Sequence, residues 1–379
     1  MSIEERIHRE GPIRFGAFVE LALYGPSGFF TGGGGAGRGG QDFITSPETG
    51  SLFGACVANA LDAEWERQGH PDPFVVVEAG AGNGRLARDV LRAGPRCAPA
   101  LHYVLVERSA ALREEQATRL ALEPLADALG PARRRDPEEE PEPVGGLGPI
   151  VSALDDLPGR PVDGVIVANE LLDNLACEIV ERTEAGWSEV RVGLDGDGSL
   201  CEVLVSAAPD LLGWVEGLEV PNGTRLPVAL EVVEWIVRAA SALHRGSLVL
   251  LDYLASWSEL VDRSGGWLRT FAAHQRGSDP LAEPGFRDIT IDVPLEMVHR
   301  AARRAGLTVM TETTQAEWLR GLGIDRLVAD GRAAWEAGAS APDLAALAGR
   351  SRITEAAALT DPTGLGAHTV LVLTKDTRE

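Results

Sequence analysis

The chain has 379 residues, enough for two or three structural units if each takes roughly 150 residues. Hydrophobic residues make up 44% of the sequence, and no apolar run approaches the ~20 residues that cross a bilayer. The formal net charge of −22 makes nucleic acid and anionic membrane poor partners, because both attract basic surfaces. The charged N-terminus, MSIEERIHRE, has no signal or transit character, so we expect a cytoplasmic protein.

The N-terminal part is predicted to form a helix, a loop and a second helix. Residues 11–30 begin with a helical apolar pattern, and a glycine-rich stretch from Gly32 to Gly40 follows, either as a plain linker or as a lid. Ser46 is predicted to be the N-cap of the next helix, with Pro47 at its first position. Apolar residues then recur at helical spacing as far as Leu61.

Alternating strands and helices come next and predict an α/β fold with a mainly parallel, doubly wound sheet. Apolar runs predict core strands over 74–77, 101–106, 149–152, 162–168, 247–251, 307–312 and 369–373. Helical patterns begin near residue 85 and cover 109–122, 229–243 and 294–305. Three segments between 178 and 206 predict an inserted antiparallel sheet, which is a candidate homodimer interface or substrate platform. Residues 133–148 are expected to be an exposed connection.

We therefore expect four consecutive segments. These are an N-terminal helical and loop segment, a Rossmann-like cofactor-binding half, the antiparallel insertion, and a remainder of core with helical insertions: 1–70, 71–175, 176–228 and 229–379. No metal site is expected, because the histidines are scattered and the cysteines form no CxxC pair.

The strongest motif is the glycine-rich turn VVVEAGAGNGRL after the first core strand. Gly80, Gly82 and Gly84 allow the backbone to approach a ligand closely, and the following helix offers amide donors. The spacing is tighter than the dinucleotide fingerprint and resembles the first motif of Rossmann-like methyltransferases. Their ligand, S-adenosyl-L-methionine, carries an ammonium group that Glu78 can hold.

Acidic residues at the ends of later strands extend this pattern. Glu107 follows the second core strand and can accept hydrogen bonds from both ribose hydroxyls of an adenosyl ligand. An acidic residue of the Asp155-Asp156 turn, after the third strand, is the candidate for the adenine amine. The alternative for Glu107 is a solvent-facing side chain without a ligand.

Glu170 and Asp173 follow the fourth core strand, where ligands of such sheets bind. Their carboxylates can grip and orient a cationic guanidinium or amine. The alternative is that Asp173 caps a helix and Glu170 interacts with its dipole. His274 and Tyr253 are further candidates near the site, although a lone histidine is more often structural.

Several blocks along nearly the whole chain resemble the MidA family of methyltransferases. They are LYGPSGFF, DFITSPE, the VEAGAGNG turn, VANELLDNLACEIV, LRTFAAH, PGFRDIT and TTQAEWLRGLGI. The resemblance implies a class I methyltransferase sheet with an N-terminal helical segment and inserted elements. It also implies S-adenosyl-L-methionine as cofactor, S-adenosyl-L-homocysteine as product, and methylation of an arginine in a protein or peptide.

The resemblance also implies roles for individual residues. Ser46, Pro47 and Glu48 should lie near the cofactor, and Asn169, Glu170 and Asp173 should line the acceptor site, with Asn169 also near the cofactor. NELLDNLA departs from the family's usual NEFFDALP beside that site. Two alternatives therefore stay open: an N- or O-methyltransferase of a small molecule or modified peptide, and a non-catalytic assembly factor that binds the cofactor. The glycine spacing disfavours an NAD-dependent dehydrogenase.

Overall fold

The computed structural model describes residues 1–32, 45–125, 129–130, 132–133, 142–143, 145–263, 265–272, 275–338 and 344–376. The chain divides into two compact units. The sheet unit comprises Ile44–Asn169, Ala239–Leu251 and Leu307–Glu379, and the insert unit comprises Met1–Phe43, Glu170–Arg238 and Asp252–Gly306. The sequence suggested four consecutive segments, whereas this grouping joins stretches that are far apart in the chain.

The strands are, in chain order, β1 (Ile13–Arg14), β2 (Phe74–Ala79), β3 (Leu101–Val106), β4 (Ala132–Arg133), β5 (Glu142–Pro143), β6 (Ile150–Leu154), β7 (Val162–Asn169), β8 (Glu178–Thr183), β9 (Gly186–Leu194), β10 (Leu200–Ser206), β11 (Arg225–Val228), β12 (Leu243–Asp252), β13 (Leu254–Ala255), β14 (Leu268–Ala272), β15 (Gln275–Gly277), β16 (Asp288–Ile291), β17 (Val293–Pro294), β18 (Thr308–Thr314) and β19 (Thr369–Lys375).

The α-helices are α1 (Ile3–Glu10), α2 (Phe15–Tyr24), α3 (Ser46–Thr49), α4 (Ser51–Arg67), α5 (Arg85–Ala93), α6 (Ala110–Arg119), α7 (Pro209–Val215), α8 (Leu230–Ala242), α9 (Trp257–Asp262), α10 (Leu295–Arg304), α11 (Gln315–Gly321), α12 (Ile324–Gly338) and α13 (Leu344–Leu359). Within the described ranges, no helix combines the length and the apolar character that a membrane span requires.

The sheet unit is built on a seven-stranded sheet with the order β18-β19-β12-β7-β2-β3-β6. The five strands from β12 to β6 are parallel, and β18 is antiparallel to β19. Every residue of β2 and β3 is buried, as in strands covered on both faces. The chain proceeds from β2 to one edge and from β7 to the other, so the strand order reverses between β2 and β7. The predicted α/β sheet is confirmed, and such a reversal is where ligands bind in sheets of this kind.

The helix predicted after the SPE motif is present, but its start differs from the prediction. Thr45 is the N-cap of α3, so Ser46 is the first helical residue and Pro47 the second. The side chain of Ser46 makes no capping bond, because it points into the core and bonds a distant glutamine. Gly50 interrupts the helix, and α4 then buries the predicted apolar stripe, which includes Leu52, Phe53, Cys56, Val57 and Leu61.

The insert unit contains the predicted antiparallel strands. β8 pairs with β9 and β9 with β10, and β1 and β11 extend the sheet at its two sides. The sequence analysis missed β1, β11 and a second antiparallel sheet, β15-β14-β16. β1 has two residues and β16 has four, so neither supplies a long alternating pattern.

Two predictions concern stretches that fall wholly or partly outside the described residues. The glycine-rich stretch is described only as far as Gly32. Of the connection 133–148, a short antiparallel pair is described, in which Arg133 faces Glu142, together with exposed Gly145 and Gly146.

Candidate functional site

The glycine-rich turn of the sheet unit has the backbone that the sequence predicted. Gly80, Gly82 and Gly84 have φ values of 71°, 52° and 77°, a region that L-residues rarely adopt. A Cβ at Gly82 would meet open space, whereas one at Gly84 would lie 3.1 Å from the Leu120 side chain. The turn therefore leaves space beside Gly82 and packs closely against the segment after α6 at Gly84. The Gly82 amide and carbonyl are bonded to Glu107 and Gln116.

Glu78 lies at the end of β2, directly before this turn. Its carboxyl accepts a 2.7 Å hydrogen bond from the Tyr103 hydroxyl. Burial raises the pKa of Glu78 to about 8, although the Tyr103 hydroxyl and the Ala87 backbone act in the opposite direction. The bond to Tyr103 joins β2 to β3, and contact with the methionine half of a cofactor stays a prediction for this residue.

Glu107 follows the last residue of β3 and contacts the glycine-rich turn. Its carboxylate accepts hydrogen bonds from the Gly82 amide at 2.9 Å and the Ser109 amide at 2.7 Å. Burial raises its pKa against the influence of these donors. The structure thus brings Glu107 and the turn together, while Asp155 lies exposed just beyond the end of β6.

The SPE motif packs beside the same turn. Ser46 is buried and donates a 2.9 Å hydrogen bond to Gln315, and Pro47 is half-buried. Glu48 accepts a 2.9 Å bond from Arg85, the residue that follows Gly84. Arg85 was not predicted as a site residue, although its position directly after the glycine motif could have indicated that it lies at the turn.

These residues fit an adenosyl ligand with an amino-acid end. The turn leaves space beside Gly82, Glu107 offers a carboxylate suited to ribose hydroxyls, and Arg85 with Glu48 adds charges of both signs.

The insert unit holds the predicted acceptor residues that follow β7. Asn169 is the last residue of that strand, and Glu170 after it has a φ of 50°. Such a conformation is uncommon outside glycine, and in folded proteins it clusters at functional positions. It is held by the next two amides, since Leu171 and Leu172 donate to the Asp252 carboxylate at 3.0 and 2.7 Å.

Asp173 lies within the single 3-10 turn Leu172–Asn174, so it does not cap a helix. It is 4% exposed, and among the described residues its Oδ1 has no hydrogen-bond partner. Burial raises its pKa well above the usual range, and the nearby Asp252, Asp288 and Glu170 carboxylates raise it further. A buried oxygen without a partner is costly, so this position favours a ligand that donates hydrogen bonds.

Other polar residues surround this group, and the sequence analysis did not select most of them. Asp252 ends β12, and Asp288 accepts a 2.8 Å bond from Asn174. The Arg269 guanidinium lies 4.6 Å from the centre of the Tyr253 ring and bonds Asp292 at 2.6 Å. The sequence signal for Arg269 and Asp288 was their presence in the LRTFAAH and PGFRDIT blocks. His274 lies outside the described residues.

Comparison with known proteins agrees with this geometry. Residues 56–313 match the family described as S-adenosyl-L-methionine-dependent methyltransferases. The chain is 28% identical to human "Protein arginine methyltransferase NDUFAF7, mitochondrial" over 335 residues, which are 84% of this chain and 72% of that protein. It is 29% identical to the Drosophila melanogaster homologue over 322 residues, covering 80% and 70% of the two chains.

A crystal structure supports the same assignment. A COG1565 superfamily member from Burkholderia thailandensis, bound to S-adenosyl-homocysteine, superposes with a TM-score of 0.80. The two sequences are 26% identical, and the match covers 100% of this chain and 92% of that one. The cofactor is S-adenosyl-L-methionine. The chain therefore belongs to this methyltransferase family, which confirms the MidA resemblance of its sequence.

Proposed function

We propose that the enzyme methylates a nitrogen of an arginine side chain in a protein or peptide. The observation that carries the proposal is the group of carboxylates at Glu170, Asp173, Asp252 and Asp288, in which Asp173 keeps a buried oxygen without a partner in the described part of the chain. A planar cation with several N–H donors satisfies such a group, and guanidinium has five. The relatives named as protein arginine methyltransferases support the same acceptor.

The carboxylates differ in what they can contribute. Asp252 is occupied by the amides of Leu171, Leu172 and Tyr253, so it fixes the turn that carries Glu170 and Asp173. Asp288 is held by Asn174. We assign to Glu170 and Asp173 the contact with the acceptor, because they follow β7 at the strand end where ligands of such sheets bind.

The same carboxylates fit the proton balance of the reaction. S-adenosyl-L-methionine supplies an electrophilic methyl group. A guanidinium must release a proton when one of its nitrogens gains a methyl group, so the acceptor pocket needs a proton acceptor. A bound cation lowers the pKa of the neighbouring Asp173, which then becomes an ionised base beside the reacting nitrogen.

The test is methyl transfer from labelled S-adenosyl-L-methionine to lysate proteins of the source organism by the purified enzyme, followed by hydrolysis and chromatography of the labelled amino acids. We expect the label in methylarginine, and its loss in Glu170→Gln. Glu219→Gln, an exposed change in the same unit, serves as the matched control. Label only in low-mass compounds, or cofactor binding without any transfer, would contradict the proposal.

The remaining expectations stay predictions. Cytoplasmic location is testable by subcellular fractionation, and homodimer formation through residues 178–206 by light scattering. The net charge of −22 supports the prediction that the protein binds neither nucleic acid nor anionic membrane, because both carry negative charge.

A further inference from the structure

An ion pair lies beside the glycine-rich turn and has no role in the acceptor site. Arg85 begins α5 directly after Gly84, and its Nη1 lies 2.9 Å from Oε2 of Glu48. Glu48 belongs to the short helix α3 and is 5% exposed, so this carboxylate reaches the turn from a separate part of the sequence. Both residues belong to the sheet unit, which also holds the turn.

Each member of this pair has unused hydrogen-bonding capacity. The buried Nε of Arg85 has no hydrogen-bond partner among the described residues. It forms a longer ion pair with Oδ2 of Asp89, at 3.8 Å. Oε2 of Glu48 accepts from Arg85, and within the described residues no bond to its Oε1 is formed. A buried N–H without an acceptor is costly unless a ligand supplies one.

Further charges of both signs surround the pair. Arg88 and Arg119 act on the Glu48 carboxylate, and so does the buried Asp89, which pairs with Arg88 at 2.9 Å. Two other carboxylates next to the turn already have donors: Glu78 accepts from Tyr103, and Glu107 accepts from the Gly82 and Ser109 amides. Arg85 and Glu48 bond each other but keep Nε and Oε1 without a hydrogen-bond partner among the described residues.

We propose that Arg85 binds the α-carboxylate, and Glu48 the α-ammonium, of the amino-acid end of S-adenosyl-L-methionine. That end is a zwitterion, and a guanidinium beside a carboxylate complements both of its charges. The inference rests on the family's cofactor and is independent of the proposed arginine acceptor. It leaves Glu78, which is bonded to Tyr103, without a charged group of the cofactor to bind.

Calorimetric titration of the purified full-length protein tests the assignment with three adenosyl ligands. S-adenosyl-L-homocysteine has both charged groups, decarboxylated S-adenosylmethionine lacks the carboxylate, and 5′-methylthioadenosine lacks both. For Arg85→Ala we expect the affinity for S-adenosyl-L-homocysteine to fall about 10- to 100-fold, because a charge-assisted hydrogen bond is lost. The affinities for the other two ligands should change less than about threefold.

The second variant separates the two charges. Glu48→Gln should weaken the two ligands that have the ammonium group and leave 5′-methylthioadenosine unchanged. Arg92→Ala, an exposed arginine on the same helix, is the matched control and should bind all three ligands normally. Equal weakening of all three ligands by Arg85→Ala would show a structural role only and overturn the assignment, as would unchanged binding of S-adenosyl-L-homocysteine. Retained binding of 5′-methylthioadenosine also shows that a variant is folded.

Discussion

The two units differ in whether their buried carboxylates have hydrogen-bond donors. In the sheet unit, Glu78 and Glu107 both receive donors from their own surroundings, a tyrosine hydroxyl and backbone amides close to the turn. In the insert unit, Asp252 is satisfied in the same way, but Asp173 keeps an oxygen without a partner in the described residues. An unsatisfied buried acid such as Asp173 indicates a position for a ligand, whereas the bonds of Asp252 already stabilise a turn. Glu107 can do both, because a carboxylate has about four sites that accept hydrogen bonds.

The largest expected effect is on the rate of methyl transfer and concerns Asp173. Asp173→Asn keeps the size of the side chain but removes its ability to take a proton, so we expect methyl transfer to fall about 10²- to 10⁴-fold. Affinity for S-adenosyl-L-homocysteine should stay unchanged. Initial rates of methyl incorporation and calorimetry on the same preparation check this. A parallel loss of rate and cofactor affinity would contradict the separate role of Asp173.

The second effect concerns Glu107, the carboxylate that we expect to bind the ribose hydroxyls. Glu107→Ala should weaken S-adenosyl-L-homocysteine binding about 10- to 100-fold, because two hydroxyl contacts and the Gly82 bond are lost together. Glu115→Ala on the following helix removes only a surface ion pair with Arg119 and serves as the control. Calorimetric titration measures both. Unchanged affinity in Glu107→Ala would place the ribose elsewhere.

The third effect is a pH dependence of stability. The pKa of Glu78 is raised to about 8 in the folded protein, so the folded state binds more protons than the unfolded state between about pH 4.5 and 8. Its contribution is fully present below pH 4.5 and is lost as the pH rises through 8. Urea denaturation at pH 5, 6, 7 and 8 should therefore show a smaller decline of stability with pH in Glu78→Gln than in the parent. Identical slopes would argue against the raised pKa.

The smallest effect concerns the support of the acceptor residues. Asn174→Ala removes the 2.8 Å bond to Asp288 and should lower the free energy of unfolding by about 1–3 kcal/mol, since a buried carboxylate loses one of its donors. Cofactor affinity should be unaffected, because the Asn174 amide bonds Asp288 and Ile289 and neither the glycine-rich turn nor Glu107. Chemical denaturation measures the change. An unaltered unfolding midpoint would mean that Asp288 finds another donor.

Local patterns predicted a large part of the molecule. The apolar runs gave the core strands within one or two residues in most cases, as for Leu101–Val106, whose predicted and observed bounds agree. The turn at Gly80, Gly82 and Gly84 was also predictable, because its positive φ values favour glycine at each position. Strand ends then placed Glu107 and Glu170 where ligands of parallel sheets bind.

Partnerships across long stretches of chain were not predictable. Glu48 and Arg85 lie 37 residues apart, and Arg269 and Asp292 lie 23 apart, without a sequence pattern that couples them. The grouping of residues 1–43 with 252–306 likewise depends on packing. Sequence alone determined the sheet, the glycine-rich turn and the candidate acids, since these depend on short-range backbone preference and apolar periodicity. Tertiary structure decided which acids are already satisfied, because hydrogen-bond partners from distant elements meet only when the chain has folded.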